Sequence, residues 1–212
     1  MVATPVKNLT LEGFLALPET KPASEYIDGK IVQKPMPQGK HSLLQLELIS
    51  FINSILRKAS IAIAFPELRC TFGGRSIVPD VVVLKKENIS KDDDGEVSNV
   101  VTTAPDWVIE ILSPDQSTTK VIKNILHCLD NGTEVGWLID PAEKMILVYQ
   151  PDRQVQVVDI LDDKLIAPEF AQFSLGEATP TIKLTAGEIF NWLKLEWARD
   201  PNMYLYSDMI KN

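Results

Sequence analysis

"RSIVPDVVVLKK", residues 75–86, sets an acid at the mouth of an apolar run: Asp80 is followed by Val81, Val82, Val83 and Leu84. Such a run reads as a buried strand. A carboxylate at its entrance is costly unless a partner offsets it. The stretch "APDWVIEILSPD", residues 104–115, repeats the problem, with Glu110 inside Val108, Ile109, Ile111 and Leu112. If strands 79–84 and 106–112 are neighbours joined by the polar loop 85–105, Asp80 and Glu110 meet on one face. Side chains alternate along a strand, so Glu110 shares its face with Val108 and Leu112.

The flanking sequence supplies a mixed layout. Residues 9–20 suggest a short helix capped by Thr10 and ended by Pro18. Residues 24–37 read as a hairpin turning at Asp28-Gly29. Residues 41–60 form a helix with Leu44, Leu48, Phe51, Ile52, Ile55 and Leu56 on one stripe. Two strands, 61–72 and 75–84, flank a Gly-Gly turn. After strand 106–112 comes a helix over 113–132, stopped by Gly132, and then a buried strand over 134–141. This strand–helix–strand unit predicts a parallel crossover. A hairpin over 144–160 turns at Pro151-Asp152, and a last helix begins near Thr185. The expected fold is α/β, a mixed sheet flanked by helices, in a single domain over 1–212 with a tail at 195–212.

Composition narrows the class. The chain has 212 residues, 45% hydrophobic and 24% charged, with a net charge of −8. That is ordinary globular usage and no broadly basic platform, although it leaves room for a local basic cleft. No apolar run approaches the roughly 20 residues of a membrane span, and no signal-like segment opens the chain, so a cytoplasmic protein with no membrane partner is expected. Cys70 and Cys128 are far apart in sequence and read as reduced core thiols. Two histidines and no Cys cluster argue against structural zinc. Phosphate-loop, GxGxxG and GxSxG spacings are missing.

Two close carboxylates in a low dielectric repel each other, and a divalent cation removes that repulsion. Such an ion polarises a phosphoryl oxygen and acidifies a bound water. Metal-assisted phosphodiester hydrolysis is thus a sensible use of the pair. The competing reading leaves each acid as a turn cap or a solvated strand end.

The segments "SEYIDGKIVQKPMPQGKH", "IVPDVVVL", "PDWVIEILSPD" and "LDNGTEVGWLIDP" resemble, in order and spacing, the Uma2 group, formerly a domain of unknown function (DUF820). That group lies in the PD-(D/E)xK, restriction-endonuclease-like superfamily, and the similarity spans roughly residues 9–194. The resemblance implies a nuclease-like core and a metal-dependent DNA endonuclease using Mg²⁺ or Mn²⁺. Asp80 and Glu110 would hold the metal, helped by the Ile111 carbonyl, with Glu25 and His41 accessory at the rim of the site. Nucleases of this superfamily often pair to cut two strands, so a homodimer is plausible on the same ground.

The chain departs from the pattern in one respect. The superfamily lysine two residues after the second acid is Leu112 here. The helix position that takes over in the Uma2 group is Asn124, and a tyrosine common one turn later is Cys128. Lys123, beside Asn124, and Lys120, one turn earlier on its face, are the candidate substitutes. The alternative is a catalytically lapsed nuclease fold that binds nucleic acid or a protein.

Overall fold

Pro79 divides the opening stretch between two sheets. Proline donates no ladder hydrogen bond and is excluded from central strand positions. In the computed structural model, which describes residues 9–114, 116–172 and 182–195, the chain runs as β5 (Arg75–Ile77), breaks at 78–80, and resumes as β6 (Val81–Lys85) in a different sheet. The preceding stretch changes sheets too. β3 (Ala62–Pro66) and β4 (Cys70–Phe72) are separated by a turn in which Glu67 has φ 43°. The single mixed sheet expected from sequence is therefore two sheets, because each presumed long strand crosses between layers.

The first sheet has four strands in the order β2-β1-β5-β4, where β1 is Ser24–Ile27 and β2 is Lys30–Gln33. Asp28 and Gly29 have φ 51° and 80°, the positive pair that a two-residue hairpin turn needs. The second sheet has six strands in the order β10-β9-β8-β7-β6-β3. Its remaining members are β7 (Trp107–Ile111), β8 (Val135–Asp140), β9 (Met145–Tyr149) and β10 (Val155–Val158). β6 and β7 are antiparallel with Val81 opposite Ile109, and β7 and β8 are parallel, both as the sequence predicts.

Helices cover both faces of the larger sheet, which explains why its central strands are apolar throughout. On one face Val81, Val83, Ile109, Ile111 and Trp137 pack with Leu44, Leu48 and Ile52 of α2 (Gly39–Ile55). On the other face Val82, Leu84, Val108 and Leu138 pack against α3 (Thr118–Asp130) and against Cys70, Phe72 and Ile77 of the smaller sheet. Alternation puts Asp80 and Glu110 on this second face, at the seam between the sheets.

Several boundaries shift from the sequence expectation. Helix α1 covers only Leu11–Leu15, with the Thr10 side chain accepting from Gly13 N. α3 starts at Thr118 instead of 113, because Ser113 and Gln116 form a local turn: Gln116 N donates to Ser113 O and Ser113 N to Gln116 Oε1. Helix α4 (Ala186–Asn191) opens with a capping box between Thr185 and Glu188. The expected helix turn at 196–198, the rest of the tail and Asp115 lie outside the described residues. Cys70 and Cys128 are free and buried. No described helix is long and apolar enough to cross a membrane.

α3 sits close to β8 because Gly136 carries no side chain. A Cβ there would fall inside van der Waals contact of Ile125 Cγ2, and Ile125 is fully buried. Gly136→Ala is expected to lower stability by about 1–3 kcal/mol through overpacking, read as a reduced urea midpoint.

Candidate active site

The β6–β7 register decides which acids meet. One step beyond the pair Val81 and Ile109, Asp80 faces Glu110, and Asp80 N lies 3.4 Å from Glu110 Oε2. Both side chains are almost fully buried, at 2% and 3% exposure. The two oxygens of Asp80 are held by three groups. Oδ1 accepts from Lys34 Nζ at 2.6 Å, and Oδ2 accepts from Ile111 N at 2.8 Å and lies 3.0 Å from His41 Nε2. An ionised carboxylate only accepts, so His41 carries its proton on Nε2. Lys34 Nζ also lies 3.7 Å from Glu110 Oε2 and donates to Val78 O at 2.7 Å.

A third acid completes the cluster. Glu25 of β1 accepts from Val78 N at 2.8 Å through Oε1 and from Asn124 Nδ2 at 3.3 Å through Oε2. The break at Pro79 leaves the Val78 N–H without a ladder partner, and Glu25 takes it. Glu25 and His41 are both buried, at 5% exposure, and Glu25 lines the cleft beside the acid pair.

The charges of the three acids differ because their surroundings differ. Burial raises the Asp80 carboxyl, but the Lys34 charge and the His41 hydrogen bond outweigh it and hold the group well below the usual carboxylate range. Burial pushes Glu110 far up, with Lys34 opposing and the charges of Asp80 and Glu25 adding to the rise. Burial also raises Glu25, partly countered by Lys34 and by the Val78 N–H. For Lys34, burial alone would lower the ammonium, but Glu110, Asp80 and Glu25 together raise it. Asp80 is therefore the standing anion, Lys34 the standing cation, and Glu110 the acid that takes up a proton most readily.

The cluster opens into a cleft of about 630 Å³ between the β1–β2 hairpin and the first turns of α3, with Glu110 on its floor. Lys30, Lys34, Arg75, Lys120 and Lys123 line it against the acids Glu25, Asp28 and Glu110. The chain is acidic overall, yet this cleft is locally basic. Arg75 is paired with Asp28 at 2.9 Å. Lys85 and Arg69, also basic in the sequence, are engaged elsewhere, with Glu134 and Glu19.

The sequence-derived candidates divide in two. Asp80, Glu110, Glu25, His41 and Asn124 come together, joined by the Ile111 backbone. Ile111 contributes its N–H to Asp80. Lys120 and Lys123 stand exposed on the cleft wall, with no ion pair to the acids among the described residues. Lys34 was missed by sequence reasoning. Its signal was the two-residue alternation of the hairpin: Val32 faces Glu25 across the strands, and Lys34 lies two residues on, on the same face.

Two carboxylates with a cation between them also fit a divalent ion. Oxygen donors suit Mg²⁺ or Mn²⁺, which accept one or two carboxylates and keep several waters. The Lys34 ammonium, held between Asp80 and Glu110, marks the position as one that favours positive charge. Among the described residues, no group of three or more His, Cys, Asp or Glu side chains has metal-cage geometry, so any ion there would rest on the pair, backbone and water.

A family model described as "Uma2: Putative restriction endonuclease" matches residues 11–181. A crystal structure of "a putative nuclease belonging to DUF820" from Anabaena variabilis ATCC 29413 superposes with a TM-score of 0.82. It is 54% identical and covers 87% of this chain and 99% of its own. No curated protein matches the chain.

Proposed function

The chain belongs to the Uma2 family, and from that membership and the paired acids of the cleft we propose that it is a divalent-metal-dependent DNA endonuclease, working as one restriction-endonuclease-like domain. The observation that supports the reading most is the meeting of Asp80 with Glu110, an acid that lines a basic cleft. Asp80 and Glu110 would hold Mg²⁺ or Mn²⁺. Such an ion supplies Lewis acidity at a phosphoryl oxygen and lowers the pKa of water.

The remaining roles belong to the chain's own residues. His41 and the Ile111 N–H lock the Asp80 carboxylate in orientation, as groups behind a ligand commonly do. Glu25 ties the 78–80 break to α3 through Asn124, which keeps the hairpin and helix walls in register. Lys120 and Lys123 engage backbone phosphates at the mouth of the cleft. Hydrolysis forms one bond from a water oxygen to phosphorus and breaks one P–O ester bond. The water's proton ends on the departing sugar oxygen.

Supercoiled plasmid incubated with the protein and Mn²⁺ tests the proposal. Nicked or linear product that vanishes with EDTA and with Asp80→Asn supports it. No product, or equal product from Asp80→Asn, overturns it. Linear product at early times reports paired copies cutting both strands, whereas accumulated nicks report single cuts. The second reading, a lapsed nuclease fold that only binds, is favoured by Leu112 and Asn124 at the lysine positions. It predicts DNA retention without cleavage.

A further inference from the structure

Asn124 on the α3 wall is uncharged where the resemblance to the Uma2 group implies a lysine, and the cleft nevertheless holds a largely buried cation, Lys34. We infer that Lys34, reaching in from the end of β2, supplies the positive charge that α3 no longer provides at Asn124. The inference rests on the nuclease reading above and names which residue of this chain performs one part of it.

Three observations bring Lys34 forward. First, its ammonium is the cation that touches both acids, at 2.6 Å from Asp80 and 3.7 Å from Glu110. Lys120 and Lys123 line the same cleft but are exposed and reach neither acid. Second, Lys34 lines the cleft and its side chain is 12% exposed, so the cation beside the acids belongs to the cleft wall that a phosphate would meet. Third, Asn124 is a poor structural fit where it stands. Its Nδ2 makes a 3.3 Å bond to Glu25, and its buried Oδ1 has no partner among the described residues. Hairpin and helix form opposite walls of one cleft, so a charge can leave one wall and return from the other without leaving the site.

The position of Lys34 has a second consequence. Its ammonium sits where a divalent ion would be shared by Asp80 and Glu110. If Asp80 and Glu110 held such an ion, Lys34 would give up its place beside them, and its ammonium, on the cleft wall, would serve the non-bridging oxygens of a bound phosphodiester. Lys34 thereby holds the acids together in the unloaded protein and serves the phosphate in the loaded one. A positioned cation of this kind contributes roughly 10²–10³-fold to rate.

The experiment compares the wild type, Lys34→Met and the double variant Lys34→Met/Asn124→Lys in two readouts: Mn²⁺ titration calorimetry without DNA, and plasmid cleavage. Lys34→Met is expected to bind Mn²⁺ more tightly, by about tenfold, since a competing charge is gone. It is expected to cleave roughly 10²–10³-fold more slowly. The double variant is expected to regain most of that cleavage from the helix side. Equal Mn²⁺ affinity and equal cleavage in wild type and Lys34→Met overturn the inference and leave the nuclease reading standing. Failure of the wild type itself to bind Mn²⁺ and to cleave overturns both. If Lys34→Met does not fold, the double variant, which preserves the charge count, decides: cleavage supports the inference and its absence overturns it.

Discussion

Asp80→Ala is expected to destabilise the protein by about 3–5 kcal/mol and to lower DNA cleavage by more than about 10³-fold. The stability loss follows from what Asp80 accepts. Without its carboxylate, the Lys34 ammonium, the Ile111 N–H and the His41 N–H lose a buried acceptor together. Removing one member of a buried ion pair strands the other charge, which costs far more than the pair's net worth. The sign with pH is fixed by the lowered carboxyl. A group whose folded pKa lies below its unfolded value adds stability above the unfolded value, and this is lost as pH falls through the folded one. Wild type should therefore lose stability in acid more steeply than Asp80→Ala. Guanidinium unfolding at neutral and at acidic pH measures both quantities.

Glu110→Gln is expected to do the reverse to stability while also abolishing activity. Glu110 is raised by burial and by the neighbouring acids. The folded protein therefore keeps that proton at pH values where the unfolded chain has lost it, and stability falls as pH climbs from the usual glutamate range toward the raised value. Glutamine keeps the shape and removes the charge penalty. The gain should be about 1 kcal/mol at neutral pH, a rise of roughly 2–4 °C in Tm. The same variant should show cleavage lowered by more than about 10³-fold, since one of the two carboxylates is gone. Two acids a few ångströms apart, one costing stability when removed and one adding it, is a pattern expected of a functional site and not of a structural network.

Much of this was legible in the chain because it rests on local rules. The alternation of "VPDVVVL" and "WVIEIL" put Asp80 and Glu110 on one face, and the antiparallel β6–β7 pairing delivered them opposite each other. Asp28-Gly29 fixed the hairpin, and the strand–helix–strand unit gave the parallel β7–β8 pair. The change of sheet at Pro79 and at Glu67 was less legible. A proline inside an apolar run marks a break, but not where the next strand goes. Lys34 was the hardest residue to read. It lies in "VQKPMP", where a lysine beside prolines looks like a solvated loop end, and its contact with Asp80 spans 46 residues that only the packing of the two sheets brings together. Charge balance was the usable clue: two buried acids need a cation, and hairpin alternation placed one on the correct face.

On the function proposed above, Asp80 and Glu110 jointly hold one divalent ion. Titration calorimetry of the purified chain with Mn²⁺, beside Glu110→Gln and Asp80→Asn, tests it most directly. One site per chain is expected in the wild type, weakened by at least about tenfold in each variant. Binding of equal strength in all three proteins, or heat from none of them, would contradict it.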